Sequence, residues 1–193
     1  MSFLVFLSLL IVFVAFVFLA MLLVLIFGLN MIYVNITTAV PWARVPQANL
    51  EQILAEINLA PGSLLYDLGC GDGRFLFIAE EKGFKAVGYE LSFYPYLKTL
   101  ASKFIKNSRI QIRHQDFFKQ DLGGADAIFI FLTGSVMAKI GLKLKQDLKA
   151  GTKVISYGFL IPGWSVKKIL DTHPSKTYIY WSFFLLCFTP VLV

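Results

Sequence analysis

The chain has 193 residues, 57% hydrophobic and only 16% charged, with a formal net charge of +6. Soluble domains average about 45–50% apolar and roughly 25% charged, so this composition excludes a disordered chain and argues against a plain soluble one. The excess is local: 35 of the first 43 residues are hydrophobic and the first charged residue is Arg44, while the other 150 have an ordinary composition. Those 150 suffice for one domain with a real core. The modest positive charge, without a dense Lys/Arg block or basic helix, suits anionic lipid headgroups, and no nucleic-acid partner is expected. Two cysteines, Cys70 and Cys187, provide neither a disulfide framework nor metal-ligand spacing, so no metal site is expected.

In chain order, Phe3–Phe27 is an apolar run interrupted only by Ser8. As a helix it rises about 37 Å, enough to cross a hydrocarbon core of about 30 Å. The start, Met-Ser-Phe-Leu, lacks the basic residues of a cleaved signal peptide, and the apolar stretch is longer than such a peptide needs. The expected organisation is therefore a transmembrane anchor (1–27) in contact with the bilayer through residues 3–27, a connector (28–44) and one domain (45–193). Every Lys and Arg follows the anchor, which places the domain on the cytoplasmic or equivalent organellar side of a single-pass protein.

Beyond the connector, Leu50, Ile53, Leu54 and Ile57 recur at helical spacing and predict a helix over 48–59. A strand is expected over 63–68, a tight turn over 69–73 and a helix over 74–82. Further strands are expected over 85–90, 109–113, 127–132 and 153–157, with helices over 95–105 and 135–148. The end reads as strand 166–172, turn 173–176 and strand 177–184. An apolar tail, 185–193, then either finishes a core strand or touches the bilayer surface. Strands alternating with helices of this length define an α/β fold with a parallel sheet.

The informative stretch is Leu64-Leu-Tyr-Asp-Leu-Gly-Cys-Gly-Asp-Gly-Arg74. A buried strand runs into glycines at alternate positions and then a helix. Glycine permits the sharp turn and a close ligand approach, and the helix start offers free N–H groups. Such a ligand sits at the carboxyl ends of the strands. The spacing is G-x-G-x-G, not the G-x-G-x-x-G of dinucleotide sites, and Asp67 precedes it by two residues. A carboxylate there repels a pyrophosphate and suits a cationic or zwitterionic ligand. Glu90, ending the next strand, is placed to accept hydrogen bonds from ribose hydroxyls. Asp116, followed by Phe117-Phe118, offers a carboxylate for an exocyclic amine beside apolar surface for a base.

With these residues the chain resembles the class I S-adenosylmethionine-dependent methyltransferases over about residues 45–184. The resemblance implies a Rossmann-like, mostly parallel seven-stranded sheet with an antiparallel C-terminal hairpin, here preceded by one transmembrane helix. It implies S-adenosyl-L-methionine as cofactor. Asp67, Gly69, Gly71 and Gly73 would surround the methionine part, with Cys70 in the same loop. Glu90 and the adjacent Leu91 would lie at the ribose, and Asp116 and Phe117 at the adenine. Phe131, with Leu132 and Thr133, would flank the sulfonium. The anchor, Val45-Pro46, Ala86-Val-Gly-Tyr-Glu-Leu91, Leu142-Lys-Leu-Lys-Gln-Asp-Leu148 and Ile161-Pro-Gly-Trp164 resemble more closely the small membrane-anchored lysine methyltransferases of the adenine nucleotide translocase and ATP synthase c-subunit type. That implies a lysine of a membrane or membrane-associated protein as acceptor. Ser92-Phe93 stands where that family continues Asn-Pro. A lipid, quinone or other small membrane-dissolved acceptor, or a non-catalytic cofactor-binding scaffold, remain alternatives. No individual residue is singled out as catalytic, and the oligomeric state is not legible.

Overall fold

A computed structural model of the chain describes residues 3–38 and 44–182. The expected strand end at 183–184, the apolar tail and Cys187 lie outside the described residues. The chain divides into two compact units, residues 1–39 and 40–193.

The first unit is one helix, α1 (Phe3–Thr38). Its segment Phe3–Leu29 is long and apolar enough to cross a membrane. The helix continues past Phe27, so the expected connector begins as helix. Gly28 costs a helix only about 1 kcal/mol, and no proline interrupts the run before Pro41.

The second unit is an α/β domain. Helix α2 (Gln47–Glu56) starts directly after Pro46 and ends sooner than its apolar periodicity predicts, because Asn58 adopts a left-handed conformation (φ 42°). There follow β1 (Leu64–Leu68), α3 (Arg74–Glu81), β2 (Lys85–Tyr89), α4 (Phe93–Ile105), β3 (Gln111–Arg113), β4 (Ala127–Ile130), α5 (Gly134–Asp147), β5 (Lys153–Tyr157), β6 (Lys168–Leu170) and β7 (Thr177–Trp181). A short 3-10 turn, Phe117–Lys119, lies between β3 and β4. Pro95 is tolerated in α4 because it stands in the first turn, where the backbone N–H has no helical partner.

The sheet order is β3-β2-β1-β4-β5-β7-β6. Strands β1 to β5 are parallel, and β7 runs antiparallel between β5 and β6. This is the expected seven-stranded sheet with its antiparallel C-terminal hairpin. Both faces are covered, which explains the near-continuous apolar strands. On β1, Leu65 faces a core layer with Leu50, Ile53, Phe75 and Leu76, while Tyr66 and Leu68 face a second layer with Met137, Ile140 and Leu144. The strand order reverses between β1 and β4, and the crevice at their carboxyl ends is where ligands bind in open α/β sheets.

Candidate cofactor site

After Leu68 the chain turns through three glycines in left-handed conformations: Gly69 (φ 83°), Gly71 (φ 55°) and Gly73 (φ 73°). The Gly69 and Cys70 N–H groups both donate to the Tyr89 carbonyl, at 2.9 and 3.0 Å, which ties the loop to the end of β2. A side chain at Gly69 would stand 2.9 Å from Leu132 Cδ2, so the loops after β1 and β4 are in contact across the switch point. Thr99, fully buried on α4, donates from Oγ1 to the Gly71 carbonyl at 2.9 Å. A Cβ at Gly73 would overlap Thr99 Cγ2. Gly73→Ala is therefore expected to destabilise the domain by about 2–4 kcal/mol, from strain and overlap together. Denaturant unfolding checks this; a loss under about 0.5 kcal/mol would contradict the close packing.

Glu90 stands one residue beyond β2 and locks the other side of the loop. Its Oε2 accepts from the Gly71 N–H at 2.9 Å and its Oε1 from the Ser92 N–H at 2.7 Å. Asp67 is 3% exposed. Burial, and then the charges of Glu90 and Asp72, hold its pKa well above the ordinary carboxylate range. An acid in this setting is costly to ionise unless a cationic or hydrogen-bond-donating group meets it.

Asp72 behaves oppositely. Burial pushes its carboxyl up, but the hydrogen bonds and charge of Arg74 outweigh that and leave its pKa lowered. Arg74 holds it through Nε and Nη2 at 3.1 and 3.0 Å, and Nη1 reaches the Val45 carbonyl at 3.2 Å. This pair fastens the start of α3 to the segment before α2. Cys70 turns its side chain into the core, over Gly88. Burial, with the nearby acids, raises its thiol pKa well above normal, which disfavours the reactive thiolate.

Asp116 caps the 3-10 turn, accepting from the Phe118 N–H at 2.9 Å, and the Phe117 and Phe118 rings sit 4.4 Å apart. Leu91 is exposed, and its carbonyl meets His114 Nε2 at 2.9 Å. His114 also stacks on Tyr96 at 5.0 Å, which gives it a structural place. After β4, Phe131 packs edge-on against Tyr157, with ring centroids 5.0 Å apart. The Tyr157 hydroxyl accepts from Asn49 Nδ2 at 3.1 Å, and the same amide donates to the His173 carbonyl at 2.8 Å. Trp164 donates to the Gly141 carbonyl and packs edge-on against Tyr180.

The glycine loop, Asp67 and Glu90 are thus brought together, and Gly69 meets the loop carrying Phe131. Sequence reasoning missed Thr99, which supports the loop, and the Asn49–Tyr157 pair. Neither carries a local signal, because each contact joins distant parts of the chain.

The solved structure of an RNA methyltransferase from Salinibacter ruber, in complex with S-adenosyl-L-homocysteine, superposes with a TM-score of 0.69 at 25% identity, covering 72% of this chain and 93% of that one. The magnesium protoporphyrin IX methyltransferase of Synechocystis, with bound S-adenosylmethionine, shares the fold at a TM-score of 0.59 and 16% identity, covering 71% of this chain and 79% of that one. Fold and glycine loop define an S-adenosylmethionine-dependent methyltransferase.

The family profile described as the ANTKMT methyltransferase domain matches residues 67–168. A protein-lysine N-methyltransferase of Saccharolobus islandicus is 34% identical over 150 residues, 73% of this chain and 92% of that protein. The mouse adenine nucleotide translocase lysine N-methyltransferase is 28% identical over 73% of this chain. The human lysine N-methyltransferase of the ATP synthase c-subunit is 28% identical over 65%. The matched region spans 62% of the mouse protein and 54% of the human one. The chain belongs to the ANTKMT methyltransferase family.

Proposed function

We propose that the chain is a membrane-anchored methyltransferase that methylates the Nε amine of a lysine in a membrane or membrane-associated protein. The observation that carries the reading is the 34% identity, over almost the whole length of the relative, to an enzyme named for protein-lysine N-methylation. The apolar span Phe3–Leu29 supports an anchor, and the confinement of all basic residues to the part after it supports a domain on the cytoplasmic or equivalent side. In this reading residues 1–27 anchor, 28–44 connect and 45–193 catalyse.

The residues present suit the cofactor. Asp67 is a buried acid beside the charges of Glu90 and Asp72, a setting that matches a ligand carrying ammonium and sulfonium charges. We assign Asp67, Gly69, Cys70, Gly71 and Gly73 to its methionine end, with Cys70 acting through the loop's shape. Glu90 and Leu91 go to the ribose, Asp116 and Phe117 to the adenine, and Phe131 to the sulfonium. When bound, S-adenosylmethionine supplies an electrophilic methyl group. The chain's own task is alignment and desolvation. Phe131, backed by the buried Tyr157, offers apolar surface just beyond the carboxyl end of β4. Apolar surroundings disfavour the ammonium form of an incoming lysine, so its neutral amine presents the lone pair that would form the N–C bond as the methyl–sulfur bond breaks and its electron pair leaves with sulfur, as the thioether S-adenosyl-L-homocysteine. The proton of the methylated amine leaves to solvent.

Mass spectrometry of membrane proteins from cells with and without the chain tests this proposal. Loss of methylation at a specific lysine in its absence is expected. Unchanged protein methylation, with a methylated lipid or quinone lost instead, would replace the lysine reading by that of a small membrane-dissolved acceptor.

A further inference from the structure

Helix α4 is built inside out. Its buried residues are Pro95 and Thr99, and Tyr94, Leu97, Leu100, Phe104 and Ile105 are exposed, while Phe93 packs edge-on against His114. Phe93, Leu97, Leu100 and Phe104 follow i, i+4, i+7, i+11 spacing, so at about 100° per residue they form one stripe, with Tyr94 and Ile105 along its edge. Phe104 is 88% exposed and Ile105 81%, so both lie outside the core that the described residues form. A contiguous apolar face of this size on a folded domain marks an interaction surface.

Charge identifies the partner. By the same geometry Lys103 lies along one margin of the stripe, while Lys98 and Lys106 turn to the inner side of the helix, into a groove they share with Asp72, Phe77 and Glu81. Outside that groove Lys103 and the exposed Arg109 flank the face, and the stretch from Leu91 to Arg113 contains no Asp or Glu. An apolar face with basic residues beside it and no acid on its own segment is the pattern of a helix lying in a membrane interface. A protein groove would place acids opposite these basic residues or a dry apolar socket over the face. An anionic bilayer satisfies both features at once, accepting the apolar side chains and attracting the basic margin.

We propose that α4 is a second membrane contact: its outer face lies in the headgroup region of an anionic bilayer and seats the α/β domain on the membrane. The inference rests on the anchored reading only for the nearness of a bilayer. Because α4 also carries Thr99, which holds the Gly71 carbonyl, seating the helix couples membrane contact to the loop at the candidate cofactor site.

The test uses the full chain in lipid nanodiscs, with Cys187 replaced by Ser and a spin label at Phe104→Cys or, independently, Ile105→Cys. Cys70 is buried and escapes labelling. Gln146→Cys, on the exposed side of α5, is the reference. Co-elution with the nanodiscs reads the anchor alone, and methyl transfer is not read, so failure of the lysine reading leaves this test intact. In bilayers with about 30% phosphatidylglycerol, the ratio of oxygen to aqueous nickel-chelate accessibility at 104 and 105 is expected to exceed that at 146 at least about fivefold, and to fall in pure phosphatidylcholine. A ratio at both positions equal to that at 146 would overturn the proposal. So would exclusion of both reagents, which would mean that protein covers the face, whether a second copy, another part of this chain or a protein substrate. Failure to co-elute would count against the anchor and this contact together.

Discussion

Glu90→Ala is expected to weaken S-adenosylmethionine binding by about three orders of magnitude. The carboxylate accepts from two backbone N–H groups, of Gly71 and Ser92, and so fixes the shape of the glycine loop. In the proposed site the same carboxylate faces the ribose hydroxyls. Hydrogen bonds to a charged group contribute about 1.5–3 kcal/mol each. Losing two of them to the ligand corresponds to about 4 kcal/mol, or roughly a thousandfold. Glu90→Gln keeps one acceptor oxygen but turns an NH2 group toward a backbone donor, so an intermediate loss is expected. Titration calorimetry with the cofactor and its demethylated product measures both, with circular dichroism confirming that the variants fold. Binding by Glu90→Ala within about threefold of the unaltered chain would remove Glu90 from the site.

Asp67→Asn is expected to trade function for stability. Burial and the neighbouring Glu90 and Asp72 raise the Asp67 pKa in the folded protein. The unfolded chain releases this proton in the ordinary carboxylate range, whereas the folded chain keeps it to higher pH. Across that interval the folded state binds more protons, so this group makes stability fall as pH rises, until the raised pKa is passed. An uncharged amide removes the penalty, and Asp67→Asn is expected to melt higher than the unaltered chain at neutral pH without cofactor. Cofactor affinity is expected to move the other way. A cationic ligand favours the carboxylate, so binding expels a proton and strengthens with pH through the same interval; the amide weakens binding and flattens its pH dependence. Melting curves and titrations across pH measure both. A variant that melts lower and binds unchanged would contradict the cationic-ligand reading of this acid.

Much of this architecture is legible in the sequence, because local signals coincide there with tertiary structure. The run from Leu64 to Arg74 specifies strand, left-handed glycine turn and helix, and the chain adopts them at those residues. The alternation of apolar strands and helices similarly announces the parallel sheet. What local signals miss is set by contacts between distant residues. The periodicity of α2 continues beyond its observed end, which the left-handed Asn58 imposes. Asp116 looks like a free carboxylate in the sequence, yet one of its oxygens is already engaged in capping a turn. The apolar spacing of α4 is that of an ordinary core-facing helix; only the folded domain reveals that Thr99 and Pro95 face inward and Phe104 outward. The link from Asn49 to Tyr157 joins residues 108 positions apart and has no trace in any local pattern.

Methyl transfer to lysine at a membrane is measured by supplying methyl-labelled S-adenosylmethionine to the full chain in nanodiscs, together with membranes from cells lacking it. Protein and lipid are then separated and the protein hydrolysed to amino acids. Label is expected in Nε-methyllysine from a membrane protein, and Glu90→Ala is expected to abolish it. Label confined to the lipid fraction, or absent from both fractions while the cofactor binds, would refute transfer to lysine.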